Sequence, residues 1–234
     1  MMIKKQIPNT LTCLNLLSGM LGIYFVLEGN IKFGAYFIFV AALFDFLDGF
    51  LARILKVHSE IGKELDSLAD LVTFGVLPSF VLFQMINQNG DLGYLPFFVF
   101  IVGIFSAIRL AKFNVDTRQS DRFIGVPTPA NALLISTLPF LAERFPGISQ
   151  TLNQPHFIMV LALVLSFLLV SELPLIALKF KNFGIKDNIF RYLTILIGII
   201  CVFTLGIGGI PFVIISYIVL SVIEGLFTRN AKAN

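Results

Sequence analysis

Long apolar runs, broken only by short polar segments, extend from residue 11 to residue 227. Runs of about 17–20 apolar residues are long enough to cross a bilayer as a helix. Eight such spans can be drawn, at 11–27, 32–54, 66–86, 94–111, 128–142, 157–178, 189–205 and 210–227. The continuous Ile, Leu, Val and Phe runs lack the alternation of a transmembrane β-strand. The pattern therefore predicts an all-α, polytopic membrane bundle of about eight helices. The fifth span is the shortest and is flanked by Pro127, Pro129 and Pro139, and Gly206–Gly209 followed by Pro211 marks a tight turn between the last two. No soluble domain, long linker or low-complexity segment intervenes, so residues 1–234 read as one domain. Lys4 and Lys5 precede the first apolar run as in a signal peptide, but no small-x-small cleavage site follows, so the first helix is expected to be retained.

Composition agrees. Hydrophobic residues make up 57% of the chain and charged residues only 13%, where soluble domains carry about 25% charged residues. Cys13 and Cys201 fall within predicted spans without a partner motif and read as small buried apolar residues. His58 and His156 are isolated, which argues against a histidine metal site. With the N-terminus inside, 15 of the 17 basic residues fall on the inner side and only Lys32 and Arg144 on the outer. This predicts both termini in the cytoplasm of an inner-membrane protein. The net charge of +3 then describes a basic face against anionic lipid rather than a nucleic-acid surface.

Four carboxylates break the apolar pattern: Asp45, Asp48, Asp66 and Asp70 lie within 26 residues. A carboxylate at the centre of a bilayer helix costs about 2.5–3.5 kcal/mol on insertion scales, so the group requires compensation. On a helix Asp45, Asp48, Gly49, Ala52 and Arg53 share one face, which Ala41 and Gly34 extend, while Phe46, Leu47, Phe50, Leu51 and Ile54 point away. On the next helix Gly62, Asp66, Asp70 and Thr73 form a comparable stripe. Two antiparallel helices with facing stripes would gather the four acids at the cytoplasmic end of the bilayer. Like charges so close need cations or protonation. Two divalent ions, Mg²⁺ or Mn²⁺, would balance four carboxylates in a site of the kind used for phosphate chemistry. Arg53, with its fixed fork of donors, suits a phosphate oxygen.

The spacing D-x2-D-G-x2-A-R-x8-G-x3-D-x3-D, filled at every position from Asp45 to Asp70, resembles the signature of the CDP-alcohol phosphatidyltransferases. That resemblance implies a core of six transmembrane helices, with spans 189–205 and 210–227 accessory. It also implies transfer of a phosphatidyl group from a CDP-linked lipid to an alcohol, with release of CMP. By the same resemblance Asp45, Asp48 and Asp66 are metal ligands, and Asp70 is the base on the acceptor hydroxyl and a further metal contact. Gly49, Ala52, Arg53, Ser59 and Gly62 are nucleotide and diphosphate contacts, and Asn9 and Thr10 line the cytidine pocket. For Asn9 and Thr10, capping of the first helix is an equal alternative. A homodimer is also implied.

Arg109-Leu-Ala-Lys112-Phe-Asn114, Phe123-Ile-Gly125-Val-Pro127-Thr-Pro129-Ala130 and the N-terminal P-N-x-L-T-x-x-N-L-x-x-G pattern resemble the phosphatidylserine synthase branch, with Lys112 where that branch has Arg. The resemblance implies CDP-diacylglycerol and L-serine as substrates. The serine carboxylate would then meet Arg109 and Lys112, with Arg118 and Arg122 further candidates, although positive-inside bias alone also predicts basic residues here. Alternatives remain at this point: a sister transferase using glycerol 3-phosphate or inositol phosphate, an ion-coupled transporter, or an inactive scaffold.

Overall fold

The computed structural model describes residues 2–57, 59–88, 90, 92–116, 123–176, 184–185 and 188–233, with side chains from residue 6 to residue 227 apart from Phe123. The chain is almost wholly helical. Helix α1 (Met2–Leu27) turns at Gly29 into α2 (Ile31–Leu55). The left-handed Lys56 ends α2, its N–H and that of Val57 returning to the carbonyls of Arg53 and Ala52. Ser59 then caps α3 (Glu60–Asp70) by accepting the Gly62 N–H at 3.2 Å. A wide π turn, Leu71–Val76, leads without interruption into α4 (Leu77–Asn87). A 3₁₀ turn (Leu95–Phe100) precedes α5 (Ile101–Val115). Helices α6 (Thr128–Arg144), α7 (Pro146–Leu152) and α8 (Pro155–Val170) follow, then α9 (Ile189–Leu205) and α10 (Ile210–Ala233). Two short strands, β1 (Phe123–Ile124) and β2 (Pro174–Leu175), pair antiparallel, a small departure from the all-α expectation.

The distribution of polarity is that of a membrane bundle. Phe46, Phe203 and Ile104 lie on the outside, Phe203 being 92% exposed, whereas Asn15, Thr73, Ser106, Thr128 and Asn131 are wholly buried. Large apolar surfaces facing outward need lipid or a partner, and the polar interior has to be matched within the protein. Small residues allow close helix approach where it is needed. A Cβ on Gly22 would lie 3.1 Å from the Gly34 carbonyl oxygen, so α1 and α2 cross with their backbones nearly touching. Phe74, Leu77, Leu82, Ile86, Ile135 and Ile158 fill the centre behind that crossing.

The expectation of eight spans is not met. Among the described residues, four stretches are long and apolar enough to cross a membrane: Gln6–Leu27, Glu60–Asn87, Leu95–Val115 and Ile189–Phe227. A fifth is obtained if α7 and α8, bent by 80°, count as one. Helices α6 and α8 have 17 and 16 residues, and at about 1.5 Å per residue they fall short of a hydrocarbon layer about 30 Å thick. The expected span 157–178 stops at Val170, four residues before Pro174, whose ring would clash with the Val170 carbonyl and would offer it no N–H if the helix continued. Helix α2 stands outside the set and carries Lys32, Asp45, Asp48 and Arg53 along its length. The last two expected spans form one apolar stretch in this count, and that stretch reverses at Gly206–Gly209. A Cβ on Gly198 would meet Val213 at 3.5 Å, so α9 and α10 lie side by side. Cys13, expected to be buried, lies instead on an exposed face of α1.

Candidate functional site

Helices α1, α2 and α3 converge at one end of the bundle, where the end of α2 and the start of α3 meet the first turns of α1. Helices α2 and α3 both pack on α1, and the ends that follow one another in the chain bring their acidic stripes together. Carboxylate oxygens of Asp45, Asp48 and Asp66 then lie within 4.8 Å of one another. Asp66 Oδ1 is buried with no hydrogen-bond partner, and a buried acceptor without a donor is costly. An all-oxygen donor set with one open carboxylate position fits a hard divalent cation. Asp70, one turn further along α3, is outside that group of three. It is 9% exposed, and its Oδ1 accepts from Asn15 Nδ2 at 3.1 Å.

Helix α1 supplies partners that the sequence reading did not assign. The Thr12 hydroxyl donates to Asp48 Oδ2 at 2.6 Å, and Asn15 holds Asp70. The Asn15 carbonyl accepts from Thr73 at 3.3 Å, tying α1 to the π turn that begins next to Asp70. Gly19, one turn on, completes the contact, since a Cβ there would sit 2.5 Å from Thr73 Oγ1. Thr12, Asn15 and Gly19 share one helical face, so a polar stripe on α1 was the available signal.

A recess of about 240 Å³ opens beside the carboxylates, lined by Asn9, Thr12, Asp48, Gly49, Ser59 and Lys63 among others. Ala52, Gly62 and Asp66 complete its wall. A Cβ on Gly49 would meet nothing within 4 Å, so bare backbone faces the recess. A Cβ on Gly62 would come 2.9 Å from Asn9 Oδ1, so α3 and α1 are closely apposed there. The positive N-terminal end of α3 forms one side, an arrangement suited to anions. Arg53 stands at the exposed rim with its Nε donating to the Gly49 carbonyl at 2.9 Å. Thr10 faces away from the recess and donates to the Gln6 carbonyl at 2.8 Å. Because α1 already begins at Met2, neither Asn9 nor Thr10 is a helix cap.

A second recess, of about 350 Å³, lies at the same end between α5 and α8 and contains Arg109 and Lys112. Arg109 is 7% exposed, donates to Thr128 Oγ1 at 3.4 Å and lies 5.1 Å over the Phe113 ring. It is within electrostatic reach of Asp70. Lys112 is exposed at the rim. Lys63 Nζ donates to the Asn114 carbonyl at 3.1 Å and Asn114 Nδ2 to Ser67, joining the rims of the two recesses. Arg118 and Arg122 lie outside the described residues, as do Lys179, Lys181 and Lys186.

Residues 5–170 match the CDP-alcohol phosphatidyltransferase family. The chain is 30% identical over 224 residues to the CDP-diacylglycerol–serine O-phosphatidyltransferase of Helicobacter pylori, covering 94% of this chain and 91% of that one. It is 36% identical over 181 residues to the Bacillus subtilis enzyme of the same name, covering 76% and 90%. A relative of that name in Methanocaldococcus jannaschii is 32% identical over 167 residues, covering 71% and 72%.

Proposed function

The chain belongs to the CDP-alcohol phosphatidyltransferase family, and on that premise we propose that it transfers the phosphatidyl group of CDP-diacylglycerol to the hydroxyl of L-serine, releasing CMP. The observation that carries the reading is the meeting of Asp45, Asp48 and Asp66 beside a recess that Asp48, Asp66 and the N-terminal end of α3 line. Serine as the acceptor is supported by the names of relatives that span most of the chain. Both recesses lie at the end that positive-inside bias assigns to the cytoplasm, where nucleotide and serine are dissolved.

Asp45, Asp48 and Asp66 would hold divalent metal, Mg²⁺ or Mn²⁺, with two ions balancing the four acids of the signature. Metal bound there would neutralise diphosphate charge and stabilise the CMP leaving group. Ser59 and Lys63, at the N-terminal end of α3, receive diphosphate oxygens, and the bare backbone of Gly49 with the small side chain of Ala52 lets the nucleotide lie against α2. Asn9 closes the cytidine side, and Arg53 reaches phosphate from the rim. Asn15 fixes the Asp70 carboxylate and leaves it lone pairs for the serine hydroxyl. As the hydroxyl oxygen bonds to the β-phosphorus, Asp70 takes its proton. The bond from that phosphorus to the bridging oxygen breaks, and CMP departs with the electron pair. Asp70 acts as a positioned base, so in-line placement of the hydroxyl supplies much of the rate. Arg109 and Lys112 orient the serine carboxylate.

Incorporation of labelled serine into lipid by the purified protein tests this reading, with unlabelled glycerol 3-phosphate and inositol 1-phosphate as competitors. Labelled phosphatidylserine unaffected by either competitor is expected; another acceptor's phosphatidyl product in its place would overturn the serine assignment.

A further inference from the structure

Helices α9 and α10 lie beyond the matched residues 5–170 and contribute no group to either recess. Helix α10 nevertheless grips the chain just after the segment that walls the second one. Tyr217 on α10 donates its hydroxyl to the Ile176 carbonyl at 2.9 Å, and Ser221, one turn later, accepts the Ile176 N–H at 3.1 Å. Both polar groups of one buried peptide position are thus satisfied by a single face of α10. Ser221 is 1% and Ile176 2% exposed, so water cannot replace these partners.

Ile176 directly follows β2, and β2 pairs with β1 in the register Phe123 with Leu175 and Ile124 with Pro174. The pairing extends through Gly125 N–H to the Leu173 carbonyl and Val126 N–H to the Leu168 carbonyl, both at 3.0 Å. Gly125 adopts φ +75°, and a Cβ there would lie 2.6 Å from the Leu169 carbonyl oxygen, so only glycine lets the two segments close together. Ile124, Leu169, Val170, Ser171 and Glu172 are the wall of the second recess opposite Arg109 and Lys112. Three residues after Gly125 comes Thr128, which accepts from Arg109. The hydrogen bonds therefore run from α10 through Ile176, β2 and β1 to both sides of that recess.

We propose that Tyr217 and Ser221 are positioning residues for the acceptor: by holding Ile176 they fix the β1–β2 pair, and with it the wall formed by Ile124 and residues 169–172, against Arg109. This rests on the reading of that recess as the serine site. Through this strap the α9–α10 hairpin sets acceptor affinity without touching substrate.

The test uses full-length Tyr217→Phe, Ser221→Ala and the double variant, with Arg109→Gln as the control for the recess itself. The KM for serine should rise about fivefold for each hydrogen bond lost. The KM for CDP-diacylglycerol and kcat should stay within about twofold of the parent, since the carboxylate site lies on other elements. Amide exchange should quicken at Gly125, Val126 and Ile176 and remain unchanged across 45–70, a readout that also serves a variant too weak to assay. An unchanged serine KM in the strap variants, with Arg109→Gln raising it, would overturn the positioning role. An equal loss in every kinetic parameter, with faster exchange throughout, would overturn it as well, in favour of general destabilisation. If Arg109→Gln itself left the serine KM unchanged, the acceptor reading would fall, and the proposal with it.

Discussion

Replacing Thr12 by valine isolates one atom of the site. Valine keeps the branched shape, so packing in a position that is 3% exposed is preserved. What is lost is the hydroxyl 2.6 Å from Asp48 Oδ2. Asp48 is itself only 6% exposed, so solvent replaces the lost donor poorly. A hydrogen bond to a charged group contributes about 1.5–3 kcal/mol, and loss of an outer-shell partner of a metal ligand typically costs about 10–100-fold in metal affinity or activity. CMP release by Thr12→Val should therefore require about 10–100-fold more Mn²⁺ for half-maximal rate, with the maximal rate largely recovered at saturation. The assay is a metal titration at fixed CDP-diacylglycerol and serine. Half-maximal Mn²⁺ within about twofold of the parent would refute the claim that Thr12 orients a metal-binding carboxylate. A lowered maximal rate at unchanged metal demand would refute it too, by placing Thr12 on the substrate instead.

Asp70→Asn retains the shape of the group held by Asn15 and should lower turnover by about 10²–10⁴-fold; Asp66→Asn should weaken Mn²⁺ binding, read by calorimetry, more than Asp70→Asn does. Gly19→Ala puts a Cβ 3.1 Å from the Thr73 Cα, a backbone contact that cannot yield easily, and should destabilise by about 1–3 kcal/mol in detergent unfolding. Gly49→Ala, with open space at its Cβ, should unfold like the parent but raise the KM for CDP-diacylglycerol. Lys32→Ala removes an exposed ion pair with Glu143 and should shift stability by no more than about 1 kcal/mol.

The meeting of Asp45, Asp48 and Asp66 was legible in the sequence because it follows from helical period and one short connection, both local properties. The separation of Asp70 from that trio was less so. It shares their face but sits one turn further on, a rise of about 5.4 Å, which spacing on a helical wheel hides. Thr12 and Asn15 escaped for another reason: their partners lie 36 and 55 positions away, and no periodicity within α1 says which helix it crosses. Hydropathy also misjudged the spans. It registers apolar runs and is blind to where Pro174 ends a helix or where α7 bends from α8. The hold of the last helix on Ile176 was unseen for a similar cause, since its span carries no motif and the partners of Tyr217 and Ser221 lie 41 and 45 positions away.

The most direct test measures CMP and phosphatidylserine together, from purified protein supplied with CDP-diacylglycerol, L-serine and Mn²⁺ or Mg²⁺, with and without EDTA. One CMP for each phosphatidylserine, dependence on serine, and loss of both products with EDTA are expected. Serine movement without CMP release, or equal CMP release when serine is withheld and another alcohol supplied, would contradict it.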